Sequence, residues 1–166
     1  MFYRLHQFLN AVFPKIDSWD IKWALNHLSP EASELFLKQS WVEQRHAIDV
    51  TKKIVNAKNL LSHPDLETLI TAALLHDCGK SLVSIRLWHR VYIVLMQKMP
   101  LSIWSCLEQS NTVFASPLKI ATYHAQWGER LAKKAGLNAQ VCLLIREHHS
   151  PKTDLGHILA QADNMS

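Results

Sequence analysis

Four glycines and six prolines are all that punctuate this 166-residue chain, and that scarcity constrains its fold more than any other feature. A chain of many short strands needs turn signals about every 8–12 residues. Long stretches here carry none, which favours long helices. Apolar residues recur at helical spacing and no convincing period of two occurs. The chain therefore reads as all-α, with no sheet. Its length fits one domain with a real core.

A first helix is expected over residues 2–13. Asp17 or Ser18 caps a second, running to about residue 26. Ser29-Pro30-Glu31 opens a third, with a capping serine and a proline in the first turn. Further helices are expected over 41–58, 65–77, 81–99, 117–135, 138–149 and from 154 to the C-terminus. Gly79 interrupts between two of them, Pro100 ends another, and residues 101–115 carry no clear signal. Gly136 has the position of a helix-terminating glycine. Residues 1–40 read as a short helical extension packed on a helical bundle formed by residues 41–166.

The formal charge is +4 and the pI near 9.0. That balance suits an anionic ligand such as a phosphate ester, and it is too weak and scattered for double-stranded nucleic acid. Six tryptophans lie among the basic residues; stacking on single-stranded nucleic acid is open to them, but they read mainly as packing residues. The three cysteines, Cys78, Cys106 and Cys142, are odd in number and widely spaced, which fits a reducing cytoplasm better than a disulfide framework. The opening MFYRLHQFLNAVF lacks the pattern of a signal peptide. The stretch from Leu82 to Leu107 is broken by Arg86, His89, Arg90, Gln97, Lys98 and Pro100, so it cannot span a bilayer. Its Trp, Arg and Lys residues would allow interfacial contact, though a helix covering the core is the preferred reading. Nothing in the residues fixes an oligomeric state.

The chemistry lies in where the ionisable residues fall. His46 sits four residues from both Val42 and Val50, inside an apolar stripe. Asp77 follows Ala73 by four, His124 follows Ala121 by three, His148 follows Leu144 by four, and His149 follows Ile145 by four. Asp163 follows Leu159 by four. Five helices thus direct a His or Asp inward. Buried imidazoles and carboxylates are costly unless paired or bound to metal, and one cationic centre would satisfy all of them. Neutral imidazole with carboxylate suits Fe, Mn, Co, Ni or Zn. Taken singly, each has a plainer reading: a hydrogen-bonded core histidine, a helix-end Asp, or an imidazole at a helix C-terminus. His63 precedes Pro64 in a turn, and His6, His27, His89 and His157 have no acidic or imidazole residue at ligand-like spacing along the sequence, so these five receive no role.

The order His, His-Asp, His, His-His, Asp resembles the HD superfamily of metal-dependent phosphohydrolases. Leu75-His76-Asp77-Cys78-Gly79-Lys80 resembles the HDxGK core of the branch that includes HD-GYP phosphodiesterases. Gln44-Arg45-His46 resembles the preceding His motif, His124 to Gly128 the HxxxG helix, Glu147-His148-His149 the HH motif, and Ala162-Asp163 the terminal Asp motif. The matching segments span about residues 41–165. HD alone is a weak signal, but the ordered set is strong.

The resemblance implies that His46, His76, Asp77 and Asp163 hold one divalent transition metal. Asp77 would bridge to a second held by His124 and His148, with His149 either ligating or bonded behind a ligand; one ion or two remain open. Lys80 would contact the substrate phosphate or the attacking hydroxide. Two such cations, about 3.5–4 Å apart, would share a hydroxide that attacks phosphorus in line. Arg45 is a second candidate phosphate contact, with a surface ion pair to Glu43 or Asp49 as the equal alternative. The implied substrate is a small phosphate mono- or diester, a nucleotide among the possibilities. The alternative is a non-catalytic module binding metal and nucleotide. After the HH pair the chain reads Ser-Pro-Lys-Thr-Asp-Leu-Gly with no Gly-Tyr-Pro, which speaks against cyclic dinucleotides. The segment from Lys80 to His124 looks longer than in the HD-GYP branch.

Overall fold

The computed structural model describes residues 16–57, 62–83 and 85–166, and the helix expected over 2–13 lies outside them. Among the described residues the chain forms nine α-helices, one 3-10 turn and no strand. The helices are α1 (Ser18–Leu25), α2 (Pro30–Leu37), α3 (Trp41–Asn56), α4 (His63–Leu75), α5 (Leu87–Met96), α6 (Leu101–Glu108), α7 (Ala115–Lys134), α8 (Ala139–Glu147) and α9 (Asp154–Asn164). The 3-10 turn, Cys78–Leu82, separates α4 from α5.

Short polar side chains set most of the helix starts. Asp17, Ser29, Ser40, Ser62, Asn138 and Thr153 each accept a hydrogen bond from a first-turn backbone N–H of the helix that follows. Pro30 and Pro64 occupy first turns, where a missing N–H does no harm. Gly136, at φ 74°, ends α7 in the left-handed region that glycine enters without steric cost.

Four boundaries differ from expectation, one of them the end of α8 at Glu147, which leaves His148-His149 beyond the helix. Helix α4 starts at His63 and stops at Leu75, so the His76-Asp77 pair follows the helix instead of lying on it. The single helix expected over 81–99 is a 3-10 turn followed by a helix that begins only at Leu87. Val83 is extended, at φ −136° and ψ 134°, and breaks the path between them. Residues 101–108, for which no signal was found, are helical, with Pro100 in the cap position.

Helix α4 is the centre of the bundle. Leu69, Ile70 and the run Ala72–Leu75 are all buried, so the helix is apolar on nearly every side. A helix of that kind belongs in an interior. It packs against α2, α3, α8 and α9, and α8 packs in turn on α7. Phe36, Ile48, Leu118, Leu144 and Leu159 fill the spaces between. The C-terminal end of α4 therefore opens into the middle of the molecule.

Candidate metal centre

The site begins where α4 stops. Asp77 adopts φ −98° and ψ 5°, the sparsely populated bridge region that many active-site residues occupy. The following 3-10 turn lies directly on α7, and glycine permits this. A Cβ on Gly79 would stand 2.0 Å from the His124 carbonyl oxygen and 2.6 Å from the Gly128 nitrogen. Cys78 is buried and its thiol points to the Gly128 carbonyl at 3.8 Å, so it packs the same contact. Burial, with Asp77 alongside, pushes that thiol up to about 12, which leaves it protonated.

This contact sets His124 against Asp77, with Nε2 3.4 Å from Oδ1. His148, which caps the C-terminus of α8, places its Nε2 3.9 Å from the same oxygen. His76 lies 3.6 Å from Asp77 Oδ2 and 3.7 Å from Asp163 Oδ1. His46 Nε2 donates to Asp163 Oδ1 at 2.7 Å, joining α3 to α9. His149 Nε2 lies 2.9 Å from His124 Nε2 and is the most exposed of the cluster. All seven residues expected at a metal site thus converge. The donor atoms of six of them fall into two groups, His46, His76 and Asp77 in one and His124, His148 and His149 in the other. Within each group the atoms lie within 4.8 Å of one another. The pairing of His76 with Asp77 and of His148 with His149 comes from helix ends, not from helix faces as expected.

Three histidines are locked in one tautomer. Nδ1 donates to a backbone carbonyl in each: His76 to Ala73 at 2.8 Å, His124 to Ile120 at 2.9 Å, His148 to Ile145 at 2.8 Å. That leaves Nε2 as the lone-pair nitrogen, aimed at the centre. The Nε2 atoms of His76 and His148 and Oδ1 of Asp77 are buried without any hydrogen-bond partner. Orphaned acceptors facing one another call for a shared electrophile. The ends of α4 and α8 add to this, because helix C-termini carry partial negative charge. The donor set therefore fits a divalent cation.

The electrostatics agree. Burial raises the Asp77 carboxyl, but Lys80, His76, His124 and His148 outweigh it and hold it well below the usual carboxylate range. Burial likewise opposes ionisation of Asp163, yet His46 and His76 bring it down to about 2. Burial lowers His124 to about 4 against the pull of Asp77, and lowers His148 and His149 as well. At neutral pH the Asp77 and Asp163 carboxylates are therefore anionic and the His124, His148 and His149 imidazoles neutral, the forms that ligate metals.

Lys80 places its ammonium 2.6 Å from Asp77 Oδ2, inside the site as expected. Arg45 takes the ion-pair alternative. Its guanidinium donates to Asp20 at 2.6 Å and through Nε to Asp49 at 2.9 Å, with Nη2 also on Asp49. Two carboxylates engage its Nε, Nη1 and Nη2 edges, so it ties α3 to α1. Of the two ion-pair partners considered for it, Asp49 is realised, while buried Glu43 pairs with Arg90.

Two positions beside the cluster escaped the sequence. Glu147 is buried and accepts from the Lys152 and Thr153 amides, at 3.2 and 3.3 Å, and from the Thr153 hydroxyl. It fixes the end of α8, with His148, to the start of α9, which carries Asp163. Its only signal was its place before the HH pair. His157, to which no role was given, lines a cleft of about 490 Å³ together with His148, His149, Gln161, Asp163 and Asn164. That cleft is the open side of the centre.

Fold and site together define an all-helical domain built around a His/Asp cluster suited to metal. The HD domain model matches residues 44–166, and the chain belongs to that family, whose members are generally metal-dependent phosphohydrolases. Comparisons with curated proteins and with solved structures returned no significant match. Among the described residues no helix is long and apolar enough to cross a membrane.

Proposed function

We propose that this HD domain hydrolyses a phosphate mono- or diester of a small molecule, with a nucleotide as the leading class, and that it uses one or two divalent transition metals. One observation carries the reading: Asp77 Oδ1 is buried, has no hydrogen-bond partner, and is faced by two imidazole nitrogens at 3.4 and 3.9 Å. Such an arrangement is unfavourable by itself and becomes favourable around a cation.

A divalent cation held by these residues would supply Lewis acidity toward water and toward a phosphoryl oxygen. The protein supplies the rest. His46, His76, Asp77 and Asp163 would hold one position, and His124, His148 and Asp77 the other, with His149 completing or backing it. Asp77 presents both oxygens, one toward each group, so it suits the shared ligand. Lys80 carries the positive charge that would meet a phosphoryl oxygen, since its ammonium already lies at the inner carboxylate. The cleft beside His148 and Asp163 has room for a small phosphorylated molecule, and its Gln161 and Asn164 offer hydrogen bonds to the part that is not cleaved. The free state of Cys78, Cys106 and Cys142 supports a reducing compartment such as the cytoplasm. We also assign residues 1–40 to an extension of the domain.

Metal-loaded protein assayed against nitrophenyl phosphate mono- and diesters and a panel of nucleotides tests the activity. Release of phosphate or nitrophenol that stops with chelator is expected. Stoichiometric metal with no turnover on any ester would instead make the chain a metal-binding module.

A further inference from the structure

Helix α5 is apolar on both of its sides. Met96 is buried and Ile93 half-buried, as the inner face of an amphipathic helix requires. On the outer face Leu87, Val91, Val94 and Leu95, spaced i, i+4, i+7 and i+8, are between 43% and 59% exposed. A groove of about 610 Å³ runs along this face between Trp88, Tyr92 and the leucines. The apolar surface continues beyond the helix. Phe114, at the start of α7, lies 6.2 Å from the Trp88 ring and 5.5 Å from the Tyr92 ring, and Leu101 at the start of α6 is 83% exposed. Soluble monomers rarely present so extended an apolar patch without using it.

The charge around the patch selects what covers it. No acidic residue occurs between Asp77 and Glu108. Of the four basic residues in that interval, Lys80 pairs with Asp77 and Arg90 with Glu43. Arg86 and Lys98 remain, exposed at the two ends of α5, with no carboxylate partner among the described residues. A two-fold pairing of this face with a second copy would bring those cations together with nothing to offset them. An anionic bilayer supplies both needs: an apolar phase for the leucines and valines, and negative headgroups for Arg86 and Lys98. Trp88 and Tyr92 are the aromatic types that favour the headgroup level.

We infer that the outer face of α5, continued by Leu101 and Phe114, is a docking surface for an anionic lipid bilayer. The protein lies on the membrane surface there and does not cross it.

Co-sedimentation of the full chain with vesicles tests this, using phosphatidylcholine containing phosphatidylglycerol against phosphatidylcholine alone. Binding to the anionic vesicles is expected, at least about tenfold weaker on neutral ones and weakened by salt. Val91→Glu with Leu95→Glu, at exposed positions, is expected to keep helicity and melting temperature and to lose binding. Arg86→Glu with Lys98→Glu is the second variant should the first not fold, and it is expected to lose the preference for anionic vesicles. Equal binding to both vesicle types, or none to either, would overturn the inference. So would a dimer, seen by sedimentation velocity, that Val91→Glu with Leu95→Glu dissolves while the wild type ignores vesicles.

Discussion

Gly79 and Gly128 meet backbone to backbone: a Cβ on Gly79 would lie 2.6 Å from the Gly128 nitrogen, and a Cβ on Gly128 would lie 3.4 Å from the Gly79 nitrogen. This contact presses the turn after Asp77 onto the helix that carries His124. The two glycines differ in what surrounds them. Gly79 faces rigid backbone, including the His124 carbonyl at 2.0 Å, while Gly128 faces the movable Ile145 methyl at 2.9 Å.

Gly79→Ala is therefore expected to be the more damaging change. It forces the 3-10 turn away from α7 and should lower stability by roughly 2–3 kcal/mol, against about 1 kcal/mol for Gly128→Ala. It should also weaken metal binding, because Asp77 moves away from His124. Urea unfolding of the two variants, with and without metal, checks this. Equal tolerance of both would show that the close approach does not position the site.

Lys80→Ala should leave metal content intact and reduce turnover by about a hundredfold or more. The ammonium now balances Asp77 in the metal-free protein, where the cation would otherwise do so. The variant should therefore be less stable than wild type without metal and close to it with metal. Steady-state kinetics and paired melts read both effects, and unchanged turnover would remove Lys80 from the chemistry.

The metal-free protein should lose stability as the pH falls from 6.5 toward about 4. Burial depresses His124 from its ordinary 6.5 to about 4. Across that window the unfolded chain takes up a proton that the folded chain refuses, so each downward step favours unfolding. Above 6.5 this histidine contributes no slope. His148 and His149 are lowered too and act in the same direction. Asp163, held at about 2 against an ordinary 3.8, adds a second loss between those values. For His124 alone the change amounts to roughly 3 kcal/mol. Urea midpoints of chelator-treated protein at several pH values measure it, and a flat profile from neutrality to pH 4.5 would contradict the burial of neutral imidazoles.

Much of this was legible in the residues. Asp17 and Ser29 marked two of the helix starts, six of the seven ligand-type side chains were visible as polar groups breaking an apolar stripe, and His76 was visible through the resemblance of residues 75–80 to the HDxGK core. The sequence was less informative where geometry depends on distant partners. Helical spacing put His76-Asp77 and His148-His149 on helix faces, whereas both pairs follow helix ends, because a histidine closing its own last turn through Nδ1 leaves no trace in periodicity. Arg45 looked equally suited to a phosphate or to an ion pair; only folding brings Asp20 from α1 within 2.6 Å. Glu147 and His157 were missed because their roles arise from the α8–α9 junction, which neighbouring residues do not reveal.

The central claim is that the imidazoles and carboxylates around Asp77 form one metal centre, and elemental analysis of the purified chain beside Asp77→Ala tests it most directly. One or two equivalents of a transition metal per wild-type chain are expected, and none in a variant that still shows the wild-type helical spectrum. A wild-type chain that neither carries nor takes up Fe, Mn, Co, Ni or Zn, or an Asp77→Ala variant that keeps the full complement, would contradict it.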